Sequence, residues 1–267
     1  MVCNKCGATI EDGANFCTEC GARMGDAAEP VAVVKAEKKP LAFEKVGQTV
    51  PAIEVTLNAG DSMYTQSGGM VWESDGITMK TNTKGGLMKG LGRMFAGESL
   101  FMATYSSNID GAKIAFGATA PGDIIAVDLT GTPGLIAQKR AFLCAEDSVQ
   151  LDIAFTKRLS AGLFGGEGFI LQDIHGEGYV FLEIDGDQVI RELAPGEVIK
   201  VDTGNVVAFD KTVTYEIETV KGAANILFGG EGLFITKLTG PGKVILQTQN
   251  FNDFAGRIIA MMPKTGA

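Results

Sequence analysis

From about Val46 onward, apolar and polar residues alternate with a period of two. Val149, Leu151, Ile153 and Phe155 alternate with Gln150, Asp152 and Ala154, and Val213, Tyr215 and Ile217 alternate with Thr214, Glu216 and Glu218. That period predicts strands with one buried face. Tyr179-Val180-Phe181-Leu182 and Val244-Ile245-Leu246 are apolar without a break, which predicts strands covered on both faces. Turns are signalled at Pro121-Gly122, Pro195-Gly196 and Pro241-Gly242. Asp185-Gly186 predicts a type I′ hairpin from Ile184 to Val189-Ile190. No window predicts a long amphipathic helix. Short strands with turn signals roughly every 8–12 residues indicate a sandwich or barrel, so the expected class is all-β.

The pattern recurs along the chain. Leu163-Phe164-Gly165-Gly166-Glu167-Gly168 stands again, residue for residue, at Leu227-Phe228-Gly229-Gly230-Glu231-Gly232, with a looser copy at Met94-Phe95-Ala96-Gly97-Glu98-Ser99. At an offset of 64, Phe142–Val149 falls on Val206–Val213 without a gap, and Gly176, Gly178, Val180 and Leu182 fall on Gly240, Gly242, Val244 and Leu246. Ser67–Trp72 matches Thr203–Ala208, so Cys144 aligns with Ala208 and Trp72, positions expected to be buried. Three units are expected, about 57–118, 119–192 and 193–255, within one repeated all-β domain over 46–263. Residues 24–45, polar and bracketed by Pro30 and Pro40, have no partner face and read as a linker.

The first 23 residues carry different chemistry. Cys3-x-x-Cys6 and Cys17-x-x-Cys20 are each followed by glycine, Gly7 and Gly21, with ten residues between the pairs. Four thiolates at this spacing close a tetrahedral site with no open position, which is structural rather than catalytic. We therefore expect a zinc ribbon holding one structural Zn²⁺ per chain through Cys3, Cys6, Cys17 and Cys20. Between the pairs only Ile10 and Phe16 are sizeable and apolar, too few to fold the segment without metal. A disulfide pair would need an oxidising compartment, and a redox dithiol would need a helix start in a βαβ setting. The start of the chain shows neither a basic nor an apolar leader region, so the cytoplasm is the expected location.

Composition narrows the function classes. A formal net charge of −9 argues against nucleic acid as a partner, since phosphate binding needs clustered Lys and Arg. His175, the single histidine, aligns with Thr239 and reads as a turn residue beside Gly176 rather than a base or ligand. Cys144 reads as a core thiol. Glu98, Glu167 and Glu231 occupy equivalent places; their expected role is to accept backbone N–H groups in glycine turns, and the alternative is a shared cation site. Between Asp75 and Glu98 no acid occurs. In that window Leu87, Met88, Lys89, Leu91 and Arg93 are candidates for contact with a partner or an anionic membrane surface, the alternative being a hairpin tip that tucks its apolar residues inward.

Lys84-Gly85-Gly86-Leu87, the run Arg93–Phe101 and the two Phe-Gly-Gly-Glu-Gly copies resemble the Altered Inheritance of Mitochondria 24-like proteins, over about Val50–Pro263. The resemblance implies a fold similar to the tryptophan RNA-binding attenuation protein, related to double-stranded β-helices, commonly as a homotrimer. It supplies no catalytic residues. The function expected is a non-enzymatic oligomeric scaffold or adaptor, with the zinc ribbon tethered to a β domain that docks a protein partner or touches a membrane surface. The alternative is RNA or small-ligand binding in grooves between subunits, and a more distant one is metal-dependent catalysis through the three glutamates. A mean hydropathy of +0.16 fits extra apolar strand surface buried between chains.

Overall fold

The structure, a computed structural model, describes residues 2–3, 5–22, 40–66, 68–82, 102–157, 169–219 and 234–262. The chain divides into two compact units, Met1–Pro40 and Leu41–Ala267. In the second, the chain forms β1 (Ala42–Val46), β2 (Ala52–Leu57), β3 (Ser62–Gln66), β4 (Met70–Glu73), β5 (Ile77–Asn82), β6 (Met102–Ser107) and β7 (Ala112–Gly117). Next come β8 (Gly122–Asp128), β9 (Leu135–Gln138), β10 (Phe142–Glu146), β11 (Val149–Lys157), β12 (Phe169–Gly176) and β13 (Tyr179–Asp185). The last strands are β14 (Gln188–Leu193), β15 (Val198–Asp202), β16 (Val206–Asp210), β17 (Thr214–Thr219), β18 (Phe234–Thr239) and β19 (Gly242–Gln247), followed by helix α1 (Phe251–Met261).

The pairing has a simple order. β2 and β4 flank β7, β8 and β10 flank β13, and β14 and β16 flank β19. Likewise β3 and β5 flank β6, β9 and β11 flank β12, and β15 and β17 flank β18. All these pairs are antiparallel. Two further pairs, β3 with β10 and β9 with β16, fuse three-stranded halves into the six-stranded sheets β5-β6-β3-β10-β13-β8 and β11-β12-β9-β16-β19-β14. A four-stranded sheet, β1-β2-β7-β4, and a three-stranded sheet, β15-β18-β17, remain. The register slips at the same kind of place in three strands, between Met70 and Trp72, Phe142 and Cys144, and Val206 and Ala208. A bulge of this kind bends and twists a strand.

Three apolar cores link consecutive sheets. One joins Val55 and Phe116 of the four-stranded sheet to Met63, Tyr105 and Phe181 of the first six-stranded sheet. The second packs Tyr64, Phe142 and Leu182 against Leu135, Ile174 and Ile245 of the other six-stranded sheet. The third packs Phe169, Phe209 and Val244 against Leu238 of the three-stranded sheet. Both six-stranded sheets are thus covered on two faces, which is why Val180, Phe181 and Leu182 are all fully buried in succession. Two buried hydroxyls within these layers have carbonyl partners: the Thr65 hydroxyl donates to the Leu143 carbonyl at 2.6 Å and the Tyr64 hydroxyl to the Val149 carbonyl at 3.0 Å.

Three features differ from the sequence expectation. Strand β1 starts at Ala42, inside the stretch read as linker, because Phe43 packs edge-on against Tyr179 and Phe181, with ring centroids 5.1 and 5.0 Å away. Asp185-Gly186 does not close a hairpin. Gly186 takes the left-handed φ of +73° that its turn signal implied, yet β13 and β14 belong to different sheets. The turn is held instead by Gly186 N–H on the Pro121 carbonyl and by Gln249 N–H on the Asp185 carbonyl. Helix α1 is the third difference; its start is capped by the Asn250 side chain, which accepts from Asn252 N–H at 3.0 Å. No helix among the described residues is long and apolar enough to cross a membrane.

Close backbone approach makes Gly122 a sensitive position. A Cβ there would collide with the Ile184 carbonyl oxygen and meet Gly186 N at 2.8 Å, and β8 is locked to β13 by the pair Gly122–Asp185. Gly122→Ala is expected to cost roughly 1–3 kcal/mol, as overpacking does, and to lower Tm by about 2–4 °C per kcal/mol. Differential scanning calorimetry checks this, with an unchanged Tm as the contrary result.

Candidate functional site

The N-terminal unit is two copies of one turn, fourteen residues apart. Gly7 N–H donates to the Cys3 carbonyl at 2.8 Å and Gly21 N–H to the Cys17 carbonyl at 2.9 Å. Cys3 N–H donates to Ala8, and Cys17 N–H to Ala22, at 2.9 and 2.7 Å. Gly7 and Gly21 have φ of +77° and +70°, so each turn needs a residue without Cβ strain. The two turns face each other, bringing the sulfurs of Cys3, Cys6, Cys17 and Cys20 all within 4.8 Å of one another. Cys3 Sγ lies 3.7 Å from Cys20 Sγ and Cys6 Sγ 3.6 Å from Cys17 Sγ. A tetrahedron with metal–sulfur bonds of about 2.3 Å has edges of about 3.8 Å, so the cage fits a four-thiolate metal ion. Ile10 is buried against Cys3 and Cys17, whereas Phe16 is exposed, leaving one apolar side chain of size to support the unit.

Electrostatics in the cage point the same way. N–H groups of Lys5 and Cys6 bring the Cys3 thiol down to about 6. For Cys6 the Ala8 N–H acts downward, but the neighbouring thiols of Cys20 and Cys17 and partial burial push it up to about 12. Four thiolates this close repel one another unless a cation sits among them.

A second site lies in the β domain. A cleft of about 580 Å³ opens between the ends of β3, β7 and β13, and Thr119, Arg140, Glu183, Asp185 and Phe251 are in its wall. Glu183 accepts from Thr119 N–H at 2.7 Å and from the Thr119 hydroxyl at 3.3 Å. Asp185 accepts from Phe251 N–H at 2.8 Å. Burial raises both carboxyls above the ordinary range, against the lowering influence of these donors and of Arg140. Glu183 carried a usable signal in the sequence: at the offset of 64 it stands where Gln247 stands, a charge in place of an amide.

The family described as mitochondrial biogenesis AIM24 matches residues 43–249, and a zinc-ribbon domain matches residues 2–24. The chain belongs to the AIM24 family. The uncharacterised protein M6_Spy0233 of Streptococcus pyogenes serotype M6 is 30% identical over 221 residues, spanning 80% of this chain and 87% of its own length. The crystal structure of protein SPYM3_0169 from Streptococcus pyogenes superposes with a TM-score of 0.68 at 27% identity, covering 83% of this chain and 100% of that one.

Within the AIM24 domain the other candidate residues fall as follows. Cys144 is fully buried in the first core, where burial raises its thiol well above the usual range, as a core residue requires. His175 is a strand residue rather than a turn residue, paired across the ladder with Gln150. Its Nδ1 lies 3.2 Å from Asp173, which also takes Lys211 at 2.6 Å. Glu98, Glu167, Glu231 and the loop residues Leu87, Met88, Lys89, Leu91 and Arg93 lie outside the described residues. Each of these stretches falls between two paired strands: β5 and β6, β11 and β12, or β17 and β18.

Glu183 gives this domain a pH signature. A carboxyl raised on folding makes the native chain bind more protons than the unfolded chain, so its contribution to stability falls as pH rises above roughly 4.3. Glu183→Gln keeps an acceptor for Thr119 and removes the charge. The Tm of this variant relative to wild type is expected to rise between pH 4 and pH 8; a difference independent of pH would refute the assignment.

Proposed function

We propose that this AIM24-family chain is a non-enzymatic oligomeric scaffold, a zinc ribbon tethered to a threefold-repeated β domain that docks a protein partner or a membrane surface. The recurrent strand order and the three equivalent bulges support the repeat, with six strands to a unit. A fold similar to the tryptophan RNA-binding attenuation protein, and assembly as a homotrimer, belong to this reading.

Zinc is the metal that suits four soft thiolates in a closed tetrahedron, and with no ligand position left over it shapes the ribbon rather than performing chemistry. Reduced thiols of this kind belong in the cytoplasm. One observation carries the docking role: large apolar side chains stand exposed on a domain whose cores are otherwise well filled. Phe254, Ile258, Ile259 and Met261 of α1 are exposed, and so are Val71 and Trp72 of β4.

The cleft beside Glu183 supports a second reading, a small-ligand site in the β domain. Its two carboxylates with Arg140 suit a compact polar ligand better than an RNA backbone.

Elemental analysis combined with light scattering tests the scaffold reading on the full chain. One zinc per chain and a mass that is a multiple of 28.0 kDa are expected. The Cys17→Ser/Cys20→Ser variant should lose the zinc and keep the assembled mass, since the repeat lies wholly downstream of the ribbon. A single-chain mass for the wild type would defeat the scaffold, and a full zinc content in the variant would defeat the ribbon.

A further inference from the structure

We infer that the outer edge of β8 is a seat for an extended segment of a protein partner, which adds to β8 as a strand and presses an aromatic side chain into the groove beside it; this rests on the docking role proposed above but not on assembly. The groove, of about 500 Å³, lies between β8 of the first six-stranded sheet and β14, β16 and β19 of the second. Ile125, Val127, Leu135, Ile190 and Ile245 make its walls largely apolar. Among the described residues β8 pairs as a strand with β13 alone, so its other side is open to a further strand.

The chain itself fills one such seat. Ala115, Phe181 and Ile245 each stand opposite a bulge residue, Trp72, Cys144 or Ala208, and across from them on the other side lie Glu54, Ala126 and Ile190. One step along, Val55 of β2 therefore corresponds to Val127 of β8. Asp210 accepts from Lys243 N–H at 2.8 Å as Glu146 accepts from Tyr179 N–H at 2.7 Å, so Lys243 and Ile245 stand where Tyr179 and Phe181 do. On β2 the outer edge is taken by β1, whose Phe43 faces Val55 and packs on Tyr179 and Phe181. On β8 the corresponding place, facing Val127 and beside Lys243 and Ile245, is the groove. Burial marks the difference. Beneath β1, Ile53 is 2% and Val55 0% exposed, whereas Ile125 and Val127 are only partly buried and Ile190 is 51% exposed.

β1 also specifies the chemistry of the occupant. Leu41 packs against the first core, Phe43 against the two rings, and Lys45 Nζ lies 2.6 Å from Asp123. Asp187 stands three residues before Ile190, as Asp123 stands three before Ala126, so the second seat keeps an acid for a basic residue. Lys243, in place of Tyr179, sets a cation beside the position of the aromatic ring, where ring faces attract ammonium groups. The partner segment is therefore extended, with a large apolar residue, an aromatic residue and Lys or Arg at alternate positions. Main-chain bonds to the edge supply its affinity and the alternate side chains its specificity. An acidic segment would meet like charge at Asp128, Asp187 and Asp210.

A fluorescein-labelled peptide copying Pro40–Gly47, added to the full chain and followed by fluorescence polarisation, tests the seat. Saturable binding is expected. Phe43→Ala in the peptide should weaken it roughly tenfold, and Ile190→Glu in the protein by a similar factor. Asp187→Lys should weaken it roughly threefold, and a peptide carrying Lys45→Glu should regain the loss on that variant. Ile190 and Asp187 are both exposed, and circular dichroism verifies that the two variants are folded. No binding to wild type overturns the seat and leaves docking through α1 and β4 standing. Binding that Ile190→Glu and Asp187→Lys leave unaltered puts the peptide on β2 in place of β1, which overturns the seat as well. A bound peptide that lowers an assembled mass in light scattering shows a second copy in the groove and overturns the partner.

Discussion

Every layer of the β domain depends on one kind of contact, the antiparallel joint between β3 and β10 and its counterpart between β9 and β16. A three-stranded half has two edges and two faces to satisfy, which is more than its own side chains can do. The joint removes an edge from each half and at the same time aligns the apolar faces of adjacent sheets. Tyr64 illustrates the coupling: it sits in β3, pairs with Ala145 across the joint, stacks on Phe142 at 5.5 Å and bonds to the Val149 carbonyl. Cutting the joint would therefore expose backbone and open a core together.

Much of this was legible along the chain. Uninterrupted apolar runs such as Val180–Leu182 revealed the strands covered on both faces, because a strand with no solvent side has no place for polar residues. The offset of 64 that superposes Phe142 on Val206 also superposes the two bulges that follow them. Pairing was less legible. Asp185-Gly186 has the local chemistry of a hairpin, but turn preference fixes only the two central residues, and the partners of β13 are chosen by the cores on either side of it. β1 was hidden for a similar reason, since its one anchor, Phe43, finds its ring partners more than 130 residues away in Tyr179 and Phe181. Trp72 is the instructive case. Its alignment with Cys144 implied burial, and the physical condition for that burial is a strand lying over β4.

The four-cysteine cage was legible, because its constraint is local. Two Cys-x-x-Cys-Gly turns need only their own backbone hydrogen bonds to aim four sulfurs inward, and the spacing of 3.6 to 3.7 Å between facing sulfurs follows from those turns. The cleft beside Glu183 was not. Thr119, Arg140 and Glu183 come from three separate stretches that the fold assembles, and the alignment of Glu183 with Gln247 marks the position without revealing the neighbours or the burial that raises its carboxyl. The ribbon and the β domain thus follow different logics: one is set by spacing along the chain, the other by which edges find partners.

Amide hydrogen exchange on the full chain, measured strand by strand, addresses that edge logic most directly. Amides of β10 and β16, covered by β3 and β9, should exchange far more slowly than those of the outer strands β8 and β14. Exchange in β10 and β16 as fast as in those outer strands would contradict the joint as the contact that holds the layers.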